Sequence, residues 1–173
     1  SGKTTLSTEL AGHLGWQRVS FGDYVRAIAR CREGSDIPVE LQEVGASLIQ
    51  ELGWQEFCSR VLAQADWTPG QPLIIDGIRH AEVLVTLKSL VAPAALLHIH
   101  IDVSDRERRN RLLARGDASR PSAEQRSEIH STEIQVTTLL PGMADLIVAG
   151  GRPFVDVLET TLHWIRNHIA ERS

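Results

Sequence analysis

Short apolar runs alternate with helical periods along almost the whole chain, and no other feature limits the fold as much. Leu6, Leu10 and Leu14 recur at four-residue spacing from Thr4, with Gly15 as a stop signal. "WQRVSF" is a strand candidate that runs into Gly22-Asp23 and a helix through Arg32, ended by Gly34. Leu41, Val44, Leu48 and Leu52 form one stripe, with Pro38 near its start. "WQEFCSRVLAQA" is a more strongly amphipathic helix. "QPLIIDG" gives a buried strand, Leu73 to Asp76, and a helix from about His80 to Val91 stops before Pro93. "AALLHIHID" is the next strand, followed by a charged helix from about Ser104 to Arg115 and a polar loop. A helix from about Ser122 to Leu140, a strand over Ala144 to Val148 and a helix starting at Pro153 complete the pattern. Strands alternating with helices argue for a parallel sheet covered on both faces. The 173 residues suit one domain, 1–173.

The chain opens Ser1-Gly2-Lys3-Thr4-Thr5. That is the second half of a phosphate-binding loop, spelled G-x-x-x-x-G-K-[ST] after a buried strand. Its backbone N–H groups and the N-terminus of the following helix point at anionic oxygens. Gly2, Lys3, Thr4 and Thr5 are therefore the nucleotide-binding candidates. Lys3 would reach the β- and γ-phosphates of ATP, the Thr4 hydroxyl would hold Mg²⁺, and Thr5 can cap the first turn. A helix beginning at residue 4 with no strand before it is unusual in this class. The expectation is that the first strand and the first glycine of the loop precede Ser1.

Composition adds exclusions. Hydrophobic residues make up 42% and charged residues 23%, ordinary for a soluble globular protein. A net charge of −4 gives no support for a nucleic-acid-binding face, and the apolar runs are too short to span a bilayer. Cys31 and Cys58 have no metal-type spacing and fit reduced thiols in a cytoplasmic protein. His98 and His100 share one strand face, but no third ligand has suitable spacing for a metal.

Two arginine motifs select among phosphate-loop proteins. In "SFGDYVRAIAR", Asp23 and Arg26 lie one helical turn apart at the end of a strand, where open α/β sheets bind ligands. In "LIIDGIRHAEVL", a buried strand ends in Asp76, followed by Gly77 and Arg79. Arg79 can clamp a phosphate with two parallel hydrogen bonds, and Glu82 could orient it. Further on, "DRERRNRLLARGDASRP" spaces Arg111 and Arg115 at i, i+4, and Arg120 sits in the polar loop. In "EIHSTEIQV", Glu128, His130, Glu133 and Gln135 are polar in a helix that faces an acceptor, a partner subunit or solvent.

In element order and in these motifs, nearly all of the chain resembles the P-loop nucleoside and nucleotide kinases. The Gly-Asp and Arg26 turn is similar to that of adenylate-kinase-type enzymes. "LQEVG" (Leu41 to Gly45) and the Asp76–Arg79 phrase are similar to deoxynucleoside-monophosphate kinases and dephospho-CoA-kinase-like enzymes. The resemblance implies an α/β P-loop NTPase fold: three α/β/α layers around a parallel sheet of order 2-3-1-4-5, strand 1 being the one missing. It implies that Arg26 grips the acceptor phosphate and that Asp23 orients the acceptor or Arg26. Gln42 would face the acceptor base, and Asp76 would sit near Mg²⁺ through water. It implies an arginine-bearing lid at about 104–122 that brings Arg111 and Arg115 to the transferring group, with Lys3 and Arg79 as the other catalytic residues. ATP and Mg²⁺ are the implied cofactors. The implied partner is a small phosphorylated acceptor, first a (deoxy)nucleoside monophosphate, otherwise a metabolite of the dephospho-CoA kind. Nucleic acid and membrane are not implied, and a homodimer is compatible.

An acceptor-independent ATPase or switch is the competing class. An AAA+ motor would show Asp-Glu at the strand end, where Asp76 is followed by Gly77. Neither a Leu-Ser-Gly-Gly-Gln signature nor an Asn-Lys-x-Asp motif occurs.

Overall fold

Two pairs of parallel strands carry the architecture of the computed structural model, which describes residues 2–33, 41–103 and 134–170. β1 (Gln17–Ser20) pairs with β2 (Leu73–Asp76), Gln17 opposite Leu73 and Ser20 opposite Asp76. β3 (Ile99–Asp102) pairs with β4 (Leu146–Ala149), Ile99 opposite Leu146. These are the neighbours 2-3 and 4-5 of the expected order. Among the described residues no ladder joins the two pairs, and none occupies position 1.

The helices divide between two faces, and β2 is covered on both, whereas β4 leaves Ile147 exposed. α1 (Gly2–Leu14) and the last helix, α6 (Phe154–Ala170), cover one face. Leu6 and Leu10 there meet Val148, Leu162 and Ile165, with Ile74 packed against them. α2 (Phe21–Glu33), α3 (Leu41–Ala63) and α4 (Ala81–Val91) cover the other face, with Leu73 and Ile75 against their cluster. Leu73, Ile74 and Ile75 thus point alternately to opposite layers, as the pleat requires. Val61 and Leu87 are wholly buried in the larger cluster. Each such side chain stabilises the fold by about 1.5–3 kcal/mol. Phe57 anchors α3 there, with its ring centroid 5.3 Å from Phe21 and 5.9 Å from Tyr24. Cys58 beside it is 0% exposed, and burial pushes its thiol up to about 11; Cys31 is exposed.

Several boundaries follow the expected stops. Gly15 ends α1, and the Trp16 N–H donates to the Ala11 carbonyl at 3.0 Å, closing the helix end. The two expected helices between residues 41 and 65 are continuous in sequence but bend at Gly53, whose φ of 71° and ψ of 167° interrupt the helix. The strand expected over "AALLHIHID" is confined to Ile99–Asp102. Among the described residues β3 ladders only against β4, and the Asp145 carboxylate accepts the His98 N–H at 2.7 Å just before the ladder. The strand expected at Ala144 to Val148 begins two residues later for the same reason. The helix expected from Ser122 lies outside the described residues up to Glu133. Its end is a π-helical stretch, Gln135–Leu139, in which Leu140 N–H donates to Gln135 O, followed by the short turn α5 (Leu140–Gly142).

Candidate functional site

β1 and β2 end side by side, so Asp76 at the end of β2 and Asp23 in the first turn of α2 lie at the same end of the strand pair. Ser20 starts α2: its Oγ accepts the Asp23 N–H at 3.3 Å. The spacing Ser20-Phe21-Gly22-Asp23 puts a hydroxyl at the N-cap and a carboxylate in the first turn, where the helix dipole favours an anion. Asp23 Oδ1 pairs with Arg26 one turn on. That hydrogen bond, with a further contribution from Arg18, holds the Asp23 carboxyl below the usual carboxylate range despite partial burial.

Arg18 joins the two strand ends. It stands in the middle of β1, and its guanidinium uses three donors. Nη2 lies 2.8 Å from Asp76 Oδ2, Nη1 lies 3.4 Å from Asp23 Oδ2, and Nε–H donates to Ser7 Oγ at 2.8 Å. The Ser7 Oγ lies 2.9 Å from the Thr4 carbonyl oxygen and 3.1 Å from Asp76 Oδ2, close enough for its one proton to go to either. Ser7 is buried, one turn into α1. Through it the Gly2–Thr5 turn, with Lys3, Thr4 and Thr5 exposed, is tied to the carboxylate at the end of β2. The Asp76 side chain is 12% exposed, that of Arg18 19%, and those of Arg26 and Asp23 45% and 50%. The chain of charges therefore runs from solvent into the protein.

Gly77 makes the turn after Asp76 possible. Its φ is +86°, and a Cβ there would sit 3.4 Å from the Gly22 amide nitrogen. The backbone that passes closest to Gly77 is the first turn of α2. A Cβ at Gly22 would meet the Arg26 guanidinium at 3.6 Å, an ordinary contact.

The other expected site residues divide. Arg79 is exposed beyond the turn, next to His80, whose ring packs 5.3 Å from that of Trp54 just past the α3 bend. Burial holds His80 below the ordinary histidine value, with Glu82 acting against it and Arg79 with it. Gln42 is exposed in the first turn of α3, and no described contact ties it to the Asp23–Asp76 chain. Arg111, Arg115 and Arg120, with the lid at 104–122, lie outside the described residues, as do Glu128, His130 and Glu133. Gln135 has a described role in the fold: its Oε1 accepts the Ala81 N–H at 2.8 Å and caps α4, whose own N-cap, His80, makes no side-chain capping bond. His98 and His100 are both buried, ring centroids 6.3 Å apart. Among the described residues no group of three His, Cys, Asp or Glu could hold a metal ion.

Sequence reasoning missed Arg18, Ser7 and the cap from Gln135. The available signal for Arg18 was a cation inside a four-residue strand whose partner strand is all apolar before Asp76.

Parallel strands with helices on either side, and a Gly-Lys-Thr helix start tied to an Asp-ended neighbour strand, define a P-loop kinase fold. Residues 1–130 match the family described as AAA domain, and the chain belongs to that family. Among solved structures it is similar to a gluconokinase from Sinorhizobium meliloti 1021, with a TM-score of 0.56 and 14% sequence identity. The match covers 99% of this chain and 91% of that one. The likeness is one of fold. No curated protein matches the chain. Among the described residues no helix is long and apolar enough to cross a membrane.

Proposed function

We propose that this protein is an ATP-dependent kinase of a small phosphorylated acceptor, with a (deoxy)nucleoside monophosphate as the first candidate, acting in the cytoplasm. The observation that carries the reading is the Arg26–Asp23–Arg18–Asp76 chain, which links an exposed arginine to a carboxylate beside the Gly2–Thr5 turn. A switch or motor needs a nucleotide site alone. Here Arg18 and Arg26 are tied through Asp23, Arg18 bonds Ser7 beside the nucleotide turn, and Arg79 is exposed three residues after Asp76, a set that suits an acceptor already carrying an anion.

The roles follow from position. Lys3 and the amides of the α1 start neutralise the phosphates of the donor. The residues fit Mg²⁺: Thr4 offers a hydroxyl, and the described contacts of Asp76 fall on Oδ2, so Oδ1 can accept from a metal-bound water. Mg²⁺ takes few protein ligands and keeps several waters, so a larger carboxylate cluster is not required. When bound it supplies charge neutralisation between the phosphates. Arg26 and Arg79 hold the acceptor's anion so that one of its oxygens faces the γ-phosphorus. That oxygen forms the new P–O bond as the bond to the β-phosphate oxygen breaks, and ADP leaves. An ionised acceptor phosphate needs no proton removed. Arg111 and Arg115 are proposed to reach the transferring group, and Gln42 the acceptor base. The gluconokinase likeness favours one second reading, an acceptor bearing a carboxylate, which the same arginines would hold.

The test is ADP release from Mg-ATP by the full chain against a panel of nucleoside and deoxynucleoside monophosphates, dephospho-CoA and gluconate. Stimulation by one acceptor is expected. Lys3→Ala should lower turnover by about 100-fold or more, the scale of losing one charge-stabilising donor. Arg79→Ala should remove the stimulation. Release that ignores every acceptor would mean an ATPase or switch.

A further inference from the structure

We infer that Arg18 is a positioning residue that relays occupation of the acceptor site to the Mg²⁺-side carboxylate; this deepens the kinase reading and rests on it. The four charged groups alternate in sign, Arg26, Asp23, Arg18, Asp76, and each inner member has two competing partners. Asp23 gives Oδ1 to Arg26 and Oδ2 to Arg18. Arg18 gives Nη1 to Asp23 at 3.4 Å and Nη2 to Asp76 at 2.8 Å. The tight contacts are therefore the two outer ones, and the central Asp23–Arg18 contact is the long one. With Arg26 engaged, Asp23 is largely neutralised and Arg18 settles on Asp76.

An acceptor phosphate that binds Arg26 competes with Asp23 for its guanidinium. Asp23, losing its nearer cation, draws Arg18 toward itself. Asp76 then loses its closest counter-ion and becomes a better acceptor for a Mg²⁺-bound water. The inner pair is shielded from solvent, at 19% and 12% exposed, so the exchange is less screened there than at the surface. The relay makes acceptor and Mg-ATP tighten one another's binding, reciprocally. Ser7 supports the inner end by holding Arg18 Nε and lying against Asp76 Oδ2. The roles are distinct from stability alone, because they fix a sign: removing a cationic side chain should strengthen the Mg²⁺-dependent part of ATP binding.

The experiment is calorimetric ATP binding with Mg²⁺ and with EDTA, whose ratio isolates the metal-dependent part of the affinity. Arg26→Met releases Asp23 permanently and should raise this ratio about 5-fold or more without any acceptor, the lower end of ordinary coupling. Arg18→Met should raise it as well, whereas a merely structural Arg18 would lower it. In an Asp23→Asn background, Arg26→Met should have no effect, because the receiver of Arg18 is gone. Arg26 is half exposed on α2, so its variant tests the relay even where Arg18→Met fails to fold. A ratio that falls or stays constant in Arg26→Met overturns the relay. If ADP release proves acceptor-independent while Arg26→Met still raises the ratio, the kinase reading falls and only the charge coupling from Arg26 to Asp76 stands, with no acceptor to drive it. Acceptor-dependent release with a constant ratio has the opposite meaning.

Discussion

His98 shows how much one side chain can decide. It is buried, its Nδ1 has no hydrogen-bond partner among the described residues, and burial holds its pKa below the ordinary histidine value in spite of a hydrogen bond to the Met143 backbone and the charge of Asp145. The unfolded chain takes up a proton near pH 6.5 and the folded one does so only lower. Below about pH 6.5 the unfolded state therefore binds more protons, and stability falls as pH falls through that window. His80 contributes with the same sign. The urea midpoint should drop between pH 7.5 and pH 5.5, and His98→Leu should flatten that slope whatever it does to the midpoint at pH 7.5. At this scale the sequence marked Asp23, Arg26 and Asp76 as candidates, because Asp76 ends a strand, Asp23 opens a helix and Arg26 follows it by one turn, each a local signal. Arg18 and Ser7 were not visible, since their partner Asp76 lies 58 and 69 positions away. A single sequence records no pairing at that range.

Elements were legible where periodicity or a stop residue marks them, and not where tertiary bonds set their ends. α1, α4 and β2 stand within two residues of their expected bounds. β3 does not, because its ladder partner and the Asp145 carboxylate fix where it begins. The cap of α4 was hidden for the same reason, coming from Gln135 across 54 positions. Gln135→Ala should leave the part-buried Ala81 N–H unpaired and cost about 1–3 kcal/mol, seen as a lower urea midpoint at constant m-value. The bend in α3 makes a different demand. Gly53 has space around it, so a Cβ clashes with nothing, yet its dihedral angles are ones that only glycine adopts readily. Gly53→Ala should cost about 1–3 kcal/mol by conformation alone. Trp54 fluorescence should shift as its packing on His80 changes.

Over the whole molecule, two apolar clusters sit on opposite faces of the strands, and β2 is shared between them through Ile74 on one side and Leu73 and Ile75 on the other. Leu87→Ala empties a wholly buried position in the larger cluster and should cost about 2–5 kcal/mol by thermal or urea unfolding. Hydrogen exchange at α1 and α6 in that variant then reports whether the smaller cluster opens with the larger one or by itself. The two thiols divide along the same lines. Cys31 is exposed on α2, while Cys58 is sealed in the larger cluster with its ionisation suppressed. A thiol that is neither ionised nor reachable does not react with an alkylating reagent. The first label added to the native protein therefore marks Cys31, and the second is added only when the α2–α4 layer parts from the strands. The rate of that second alkylation is a clock for core opening that the chain carries without any engineering.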